Sequence, residues 1–168
     1  VEGGAFGVAT ASGSSALFYS LVNLAQNGDN IAYSNKIYGG SQTLLVHVLK
    51  RFGIEGRVFD IDDLSTLEKI IDDKTKAIFF ESLSNPQIAI ADVKTITDIA
   101  KKYKIATICD NTVATPILYR PFDFGVDISV HSLTKYINGH GSGLGGAVIE
   151  REGLNELIKG NPRYPAFN

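Results

Sequence analysis

The sequence contains no methionine, not even at position 1, and only one cysteine among 168 residues. A single cysteine excludes an internal disulfide framework. Cys109 sits in the apolar run Ile105-Ala106-Thr107-Ile108-Cys109, where a buried structural thiol is expected. No apolar run approaches the roughly 20 residues that a membrane-spanning helix needs, and no signal peptide is visible, so the expectation is a cytoplasmic protein with no membrane partner. Neither charge sign dominates: 16 Lys+Arg face 18 Asp+Glu, for a net charge of −2. Without a basic stripe, a nucleic-acid partner is not expected. His47, His131 and His140 lack zinc-ligand spacing. Neither a G-x-S-x-G elbow nor a P-loop occurs. The missing initial methionine, and a last stretch from Asn161 to Asn168 with no closing element, lead us to expect that residues 1–168 are an incomplete piece of something larger.

What is present is an alternation of short β-branched runs with helical periodicity. Hydrophobic content of 44% and charged content of 20% suit one globular domain. A domain of this size buries about 70% of its unfolded surface. Strands are expected at Gly7–Thr10, Asn30–Tyr33, Arg57–Asp60, Lys76–Phe80, Ile105–Cys109, Val126–Val130 and Gly146–Glu150. Helices are expected from Ser12-Gly13 to about Gln26, from Ser41 to about Arg51, over Leu64–Ile71, from an Asp92 cap to Tyr103, and from Leu154 onward. Strand–helix alternation predicts an α/β fold, a mostly parallel sheet with helices on both faces. The last strand follows its predecessor with no helix between them, so it is expected to run antiparallel.

Ligands in such sheets bind outside the carboxyl ends of the strands. The residues falling there are Ser12-Gly13-Ser14, Tyr38, Asn85, Asp110, Thr112, Ser132, Thr134 and Lys135. Lys135 lies between an apolar strand and a glycine-rich run, flanked by two hydroxyls, an odd place for a solvating charge. An amine there suits Schiff-base chemistry with an aldehyde cofactor, and the hydroxyls suit a phosphate. Gly13 and Ser14 open a helix, whose free amides also suit a phosphate, although a simple N-cap explains Ser12 equally well. Asp110 ends an apolar strand and needs a cationic or hydrogen-bonding partner; a pyridinium nitrogen is one. Tyr38 can stack on a flat ring, and Asn85 can bond a ring substituent. The run Gly141-Ser142-Gly143-Leu144-Gly145-Gly146 matches the dinucleotide pattern G-x-G-x-x-G, but Ala147-Val148-Ile149 reads as strand where that fingerprint requires a helix. A dinucleotide-binding module is therefore a secondary alternative, and the glycines are expected to let backbone pass close to the lysine loop.

The stretches Ala11-Ser12-Gly13, Tyr38-Gly39-Gly40, Glu81-Ser82-Leu83-Ser84-Asn85-Pro86, Asp110-Asn111-Thr112, Ser132-Leu133-Thr134-Lys135-Tyr136 and Gly139-His140 occur in an order that resembles the Cys/Met-metabolism family of pyridoxal-phosphate enzymes. Leu83 stands where the family usually has proline. The resemblance implies the aspartate-aminotransferase-like fold (fold type I) and pyridoxal 5'-phosphate as cofactor. It implies that Lys135 forms the Schiff base and moves protons, that Asp110 pairs with the ring nitrogen, and that Tyr38 stacks on the ring and helps the leaving group depart. It assigns Asn85 to the ring hydroxyl region, Gly13, Ser14, Ser132 and Thr134 to the phosphate, and Thr112 to support of the ring site. The run Gly139–Gly146 looks most like the O-acetylhomoserine sulfhydrylases, which implies γ-replacement: O-acetylhomoserine and sulfide give homocysteine and acetate. Cystathionine and methionine γ-lyases and cystathionine γ-synthases are the alternatives within the family. The family also implies a homotetramer, an N-terminal Tyr-x-Arg segment reaching a neighbour's phosphate, and a C-terminal domain whose arginine binds the substrate carboxylate. Neither segment is found in residues 1–168, so these residues alone are expected to turn over poorly.

Overall fold

The computed structural model describes residues 1–167. Seven strands form one sheet: β1 (Phe6–Thr10), β2 (Asn30–Ser34), β3 (Glu55–Phe59), β4 (Thr75–Glu81), β5 (Ala106–Asp110), β6 (Ile128–Ser132) and β7 (Gly146–Glu150). Their order is β1-β7-β6-β5-β4-β2-β3. Strands β2 to β6 pair in parallel, and β7 pairs antiparallel with both β6 and β1.

The central strands read as unbroken apolar runs because both of their faces are covered. Alternate residues enter different cores. Ile31, Tyr33, Ala77, Phe79, Ala106, Ile108, Ile128 and Val130 pack with Leu17, Leu21 and Leu24 of α1 (Gly13–Leu24). Ala32, Ile78, Phe80 and Cys109 pack on the opposite face with Leu67 of α3 (Ser65–Ile70) and with Val93, Ile96 and Ala100 of α4 (Val93–Tyr103). Asp92 caps α4 by accepting the Thr95 amide at 3.1 Å, and Asp63 accepts the Ser65 amide at 3.1 Å to start α3. Two shorter helices, α5 (Thr115–Leu118) and α6 (Leu154–Ile158), follow β5 and β7.

Two expectations from the sequence are corrected. The single helix expected from Ser41 to Arg51 is broken into three turns: α2 (Gly39–Thr43), a π turn (Leu44–Val48) and a 3-10 turn (Leu49–Phe52) that ends at Gly53 with φ +72°. The wider middle turn leaves Leu45 and Leu49 in the core while Leu44 and Val48 face a cleft. The strand expected at Val126–Val130 pairs as Ile128–Ser132 instead. Asp127 is drawn off the ladder: its Oδ2 accepts the Thr107 amide and hydroxyl, both at 2.8 Å, and its Oδ1 accepts Arg151 Nε at 2.7 Å.

Tyr164 closes one end of the sheet. It is 1% exposed; its hydroxyl donates to the Lys76 carbonyl and accepts the Ala106 amide, both at 2.7 Å. Tyr164→Phe leaves two buried backbone groups without this partner, so it is expected to cost about 1–3 kcal/mol. The urea midpoint of the variant checks this.

Candidate functional site

The chain steps from β2 outward to β3, then returns so that β4 lies on the other side of β2. This reversal opens a crevice at the strand carboxyl ends. A cleft of about 920 Å³ lies there, and every residue expected at the site lines it: Gly13, Ser14, Tyr38, Asn85, Asp110, Thr112, Ser132, Thr134 and Lys135. Segments more than a hundred residues apart in sequence are thus brought to one place.

Gly13 is where α1 meets the end of β6. A Cβ on Gly13 would lie 2.6 Å from Ser132 Cβ and 2.8 Å from Ser132 Cα, so only glycine fits. Ser12 caps α1 by accepting the Ser15 amide at 3.1 Å. The amides of Gly13 and Ser14 have no intrahelical acceptor and point from the positive end of the helix. A cradle for an anion is therefore formed by α1 amides beside the Ser132 hydroxyl.

Thr134 is less free than the sequence implied. Its hydroxyl donates to the Gly145 carbonyl at 3.3 Å and accepts the Gly145 amide at 3.1 Å. The glycine run is packed against the lysine loop in this way. Gly146 approaches the Ser12 carbonyl so closely that an added Cβ would lie 2.1 Å from its oxygen. The run leads into β7 and not into a helix, so the strand–helix context of a dinucleotide fingerprint is missing.

Lys135 follows β6 in a turn held by its own amide on the Ser132 carbonyl at 3.2 Å. Its side chain is exposed along the cleft, and no hydrogen bond or ion pair holds the ammonium among the described residues. Lys135 is the only lysine or arginine among the lining residues. Asp110 is half-buried at the end of β5, and its Oδ1 accepts the Thr112 amide at 2.9 Å. Burial pushes the Asp110 carboxyl above its ordinary range, while the Thr112 hydrogen bonds and the charge of His131 pull it back down. Thr112 also accepts the Ser132 amide at 2.8 Å, which couples Asp110 to the lysine strand. Tyr38 is 51% exposed, and its ring lies over Gly40, where a Cβ would come within 2.6 Å of Cε1.

Two carboxylates near these residues were given no role by the sequence. Glu81 ends β4 in register with Asp110. Its Oε1 accepts the Tyr38 amide at 2.6 Å and its Oε2 the Asn85 amide at 3.0 Å. Burial pushes its carboxyl up to about 7; the Asp110 charge adds to this, and the two amides oppose it. Glu2 lies by the opposite face, where it accepts from Asn111 Nδ2 at 3.0 Å and Ser129 Oγ at 2.9 Å and meets His131 Nε2 at 2.8 Å. Burial raises the Glu2 carboxyl, but His131, Ser129 and Asn111 outweigh it and hold it below its usual value. The sequence signal for Glu81 was available: an acid closing an otherwise apolar strand needs a partner.

The model of the family described as Cys/Met metabolism PLP-dependent enzyme matches residues 1–161. The homocysteine synthase of Schizosaccharomyces pombe is 40% identical over 169 residues, covering 100% of this chain and 39% of that protein. A Campylobacter jejuni structure assigned as O-acetylhomoserine (thiol)-lyase, which carries N'-pyridoxyl-lysine-5'-monophosphate, superposes with a TM-score of 0.99 at 69% identity, covering 99% of this chain and 41% of that one. Cystathionine γ-lyase from Lactobacillus plantarum, complexed with L-serine, gives a TM-score of 0.85 at 38% identity, covering 93% and 42%. The chain therefore spans about two fifths of the length of relatives it matches, and its mostly parallel, helix-flanked sheet is that of the fold type I enzymes.

Proposed function

We propose, because the chain belongs to the Cys/Met metabolism PLP-dependent enzyme family, that it supplies the cofactor site of an enzyme making homocysteine from O-acetylhomoserine and sulfide. The observation that carries this reading is the convergence in one cleft of an unpaired amine (Lys135), a carboxylate raised by burial (Asp110) and an anion cradle (Gly13 against Ser132). These groups match the three ends of pyridoxal phosphate: aldehyde, ring nitrogen and phosphate. Bound there, the cofactor supplies a carbonyl for amine capture and a ring that accepts electron density from the amino acid.

The protein's own groups have separable tasks. Lys135 Nζ would hold the aldehyde end of the cofactor and would carry protons to and from the substrate carbons. Asp110, oriented by Thr112, holds the proton on the ring nitrogen. Gly13 and Ser14 amides and the Ser132 hydroxyl would bind the phosphate, and Thr134 contributes by fixing the glycine run against the lysine loop. Tyr38 would cover one ring face and is placed to assist departure of acetate from the substrate Cγ. Asn85 meets the ring hydroxyl edge. Lys135 is committed to the aldehyde and is the sole lysine or arginine of the lining, so the substrate carboxylate is left for a group outside it. The same reading makes the whole protein a cytoplasmic homotetramer.

The test is product analysis with the full-length protein, pyridoxal phosphate, O-acetylhomoserine and sulfide. Homocysteine and acetate in equal amounts are expected. A protein that ignores sulfide and releases ammonia and an oxoacid from methionine or cystathionine is a lyase, and the synthase reading falls. Gly13→Ala places a methyl against Ser132 backbone and is expected to weaken uptake of pyridoxal phosphate about tenfold or more, equivalent to one lost charge-assisted contact. A cofactor titration of the apoprotein checks it.

A further inference from the structure

Resting on that reading, we propose that Glu81 is a positioning residue: its carboxylate ties the Tyr38 loop to the Asn85 loop and so fixes the width of the slot in which a flat ring is held. Its two oxygens are divided between two donors, the amides of Tyr38 and Asn85, at 2.6 and 3.0 Å. Tyr38 opens α2 after β2, and Asn85 follows β4, so the two loops stand on either side of the crevice where the strand order reverses. Hydrogen bonds to an ionised acceptor are about twice as strong as neutral ones, so the tie is at full strength above about pH 7, where the Glu81 carboxyl is ionised.

The choice of residue argues for a defined task. Glu81 is 6% exposed and lies beside a second carboxylate, Asp110, with no lysine or arginine bonded to it. Such a placement is costly, and stability alone would favour a neutral side chain. Glutamine offers a single acceptor oxygen and would turn an N–H₂ toward the other amide. A carboxylate is the side chain that accepts from both. The Asn85 loop transmits this position because it is bonded to itself: the Ser84 amide reaches the Ala89 carbonyl at 2.9 Å, and Ser84 Oγ accepts the Ala89 amide at 2.9 Å. On the Tyr38 side the internal tie lies earlier, where Ser34 Oγ accepts the Lys36 amide at 3.1 Å, and no side chain caps the start of α2. Asn35 ties the start of this segment to β3, its amide donating to the Phe59 carbonyl at 2.8 Å, and Glu81 ties its far end, at Tyr38, to β4.

The experiment compares full-length wild type with Glu81→Gln and Glu81→Asp in two arms. The first, without cofactor, follows amide hydrogen exchange by peptide mass. Exchange in peptides containing Tyr38 and Asn85 should quicken about tenfold or more in Glu81→Gln, with β5 and β6 unchanged. The second measures pyridoxal phosphate affinity and the visible circular dichroism of the bound cofactor, which reports ring orientation. Affinity should fall about tenfold and the dichroic band should weaken even at saturation. Glu81→Asp, which keeps the charge on a shorter stem, should retain the tie at one loop only and fall between the two, and it serves as the readout should Glu81→Gln not fold. Unchanged exchange at both loops, a uniform rise across the whole sheet, or an unaltered dichroic band overturns the proposal. Wild type that takes up no pyridoxal phosphate overturns the proposed function as well; it is distinguishable because the exchange arm needs no cofactor.

Discussion

Lys135→Ala is expected to lower turnover by about a thousandfold or more, the scale on which a combined nucleophile and proton carrier contributes. That corresponds to about 4 kcal/mol of barrier. Its phosphate cradle and Tyr38 remain, so the variant should still take up pyridoxal phosphate reversibly, but without the absorbance band that a covalent link produces. Lys135→Arg separates charge from chemistry. It keeps a cation in the cleft, yet guanidinium stays protonated throughout the working range and cannot serve as a nucleophile. Both variants should be equally inactive. Recovery of substantial activity in the arginine variant would mean that position 135 contributes only charge.

Asp110→Asn is expected to act in opposite directions on activity and on stability. Turnover should fall about a hundred- to a thousandfold, the usual effect of losing one group that stabilises charge in the transition state. Without cofactor, the variant should be at least as stable as wild type near neutral pH. The sign follows from burial, which raises the Asp110 carboxyl above its ordinary value of 3.8 despite the Thr112 bonds and the His131 charge. A carboxyl raised in the folded state favours folding most fully below its unfolded pKa, and that contribution is lost as pH rises through the folded value. Asparagine carries no such loss, so its advantage should appear above the folded pKa and vanish in acid. Adding pyridoxal phosphate should reverse the order, because only the wild type gains a charged partner for the ring nitrogen. Thermal unfolding with and without cofactor, at several pH values, checks both signs.

Much of this arrangement was legible in the sequence, for physical reasons. Lys76–Phe80 and Ile105–Cys109 read as strands because burial on both faces leaves little polar alternation to confuse them. Once the alternation fixed a parallel sheet, the carboxyl-end rule gathered nine separate residues at one rim, and all nine line the cleft. The helix expected at Ser41–Arg51 was misread because its apolar spacing fits a regular helix as well as a broken one; the Leu49 amide bonding back to the Leu44 carbonyl leaves no mark on residue type. The start of β6 was misplaced because Val126 is apolar and fully buried without pairing, while Asp127 is held by Thr107 and Arg151. The partners of Glu81 and Glu2 were invisible for a related reason, although an acid closing β4 signalled that Glu81 needed one. The partners of Glu81 are two backbone amides, and those of Glu2 lie more than a hundred residues away. Neither leaves a local pattern.

The central claim is that one amine, at position 135, captures the cofactor carbonyl. Treating the full-length protein with pyridoxal phosphate and then borohydride makes such a link permanent, and digestion followed by mass spectrometry locates it. A single pyridoxyl phosphate adduct on Lys135, absent from Lys135→Ala, is the predicted result. An adduct on another lysine, or none above the unreduced control, would contradict the account.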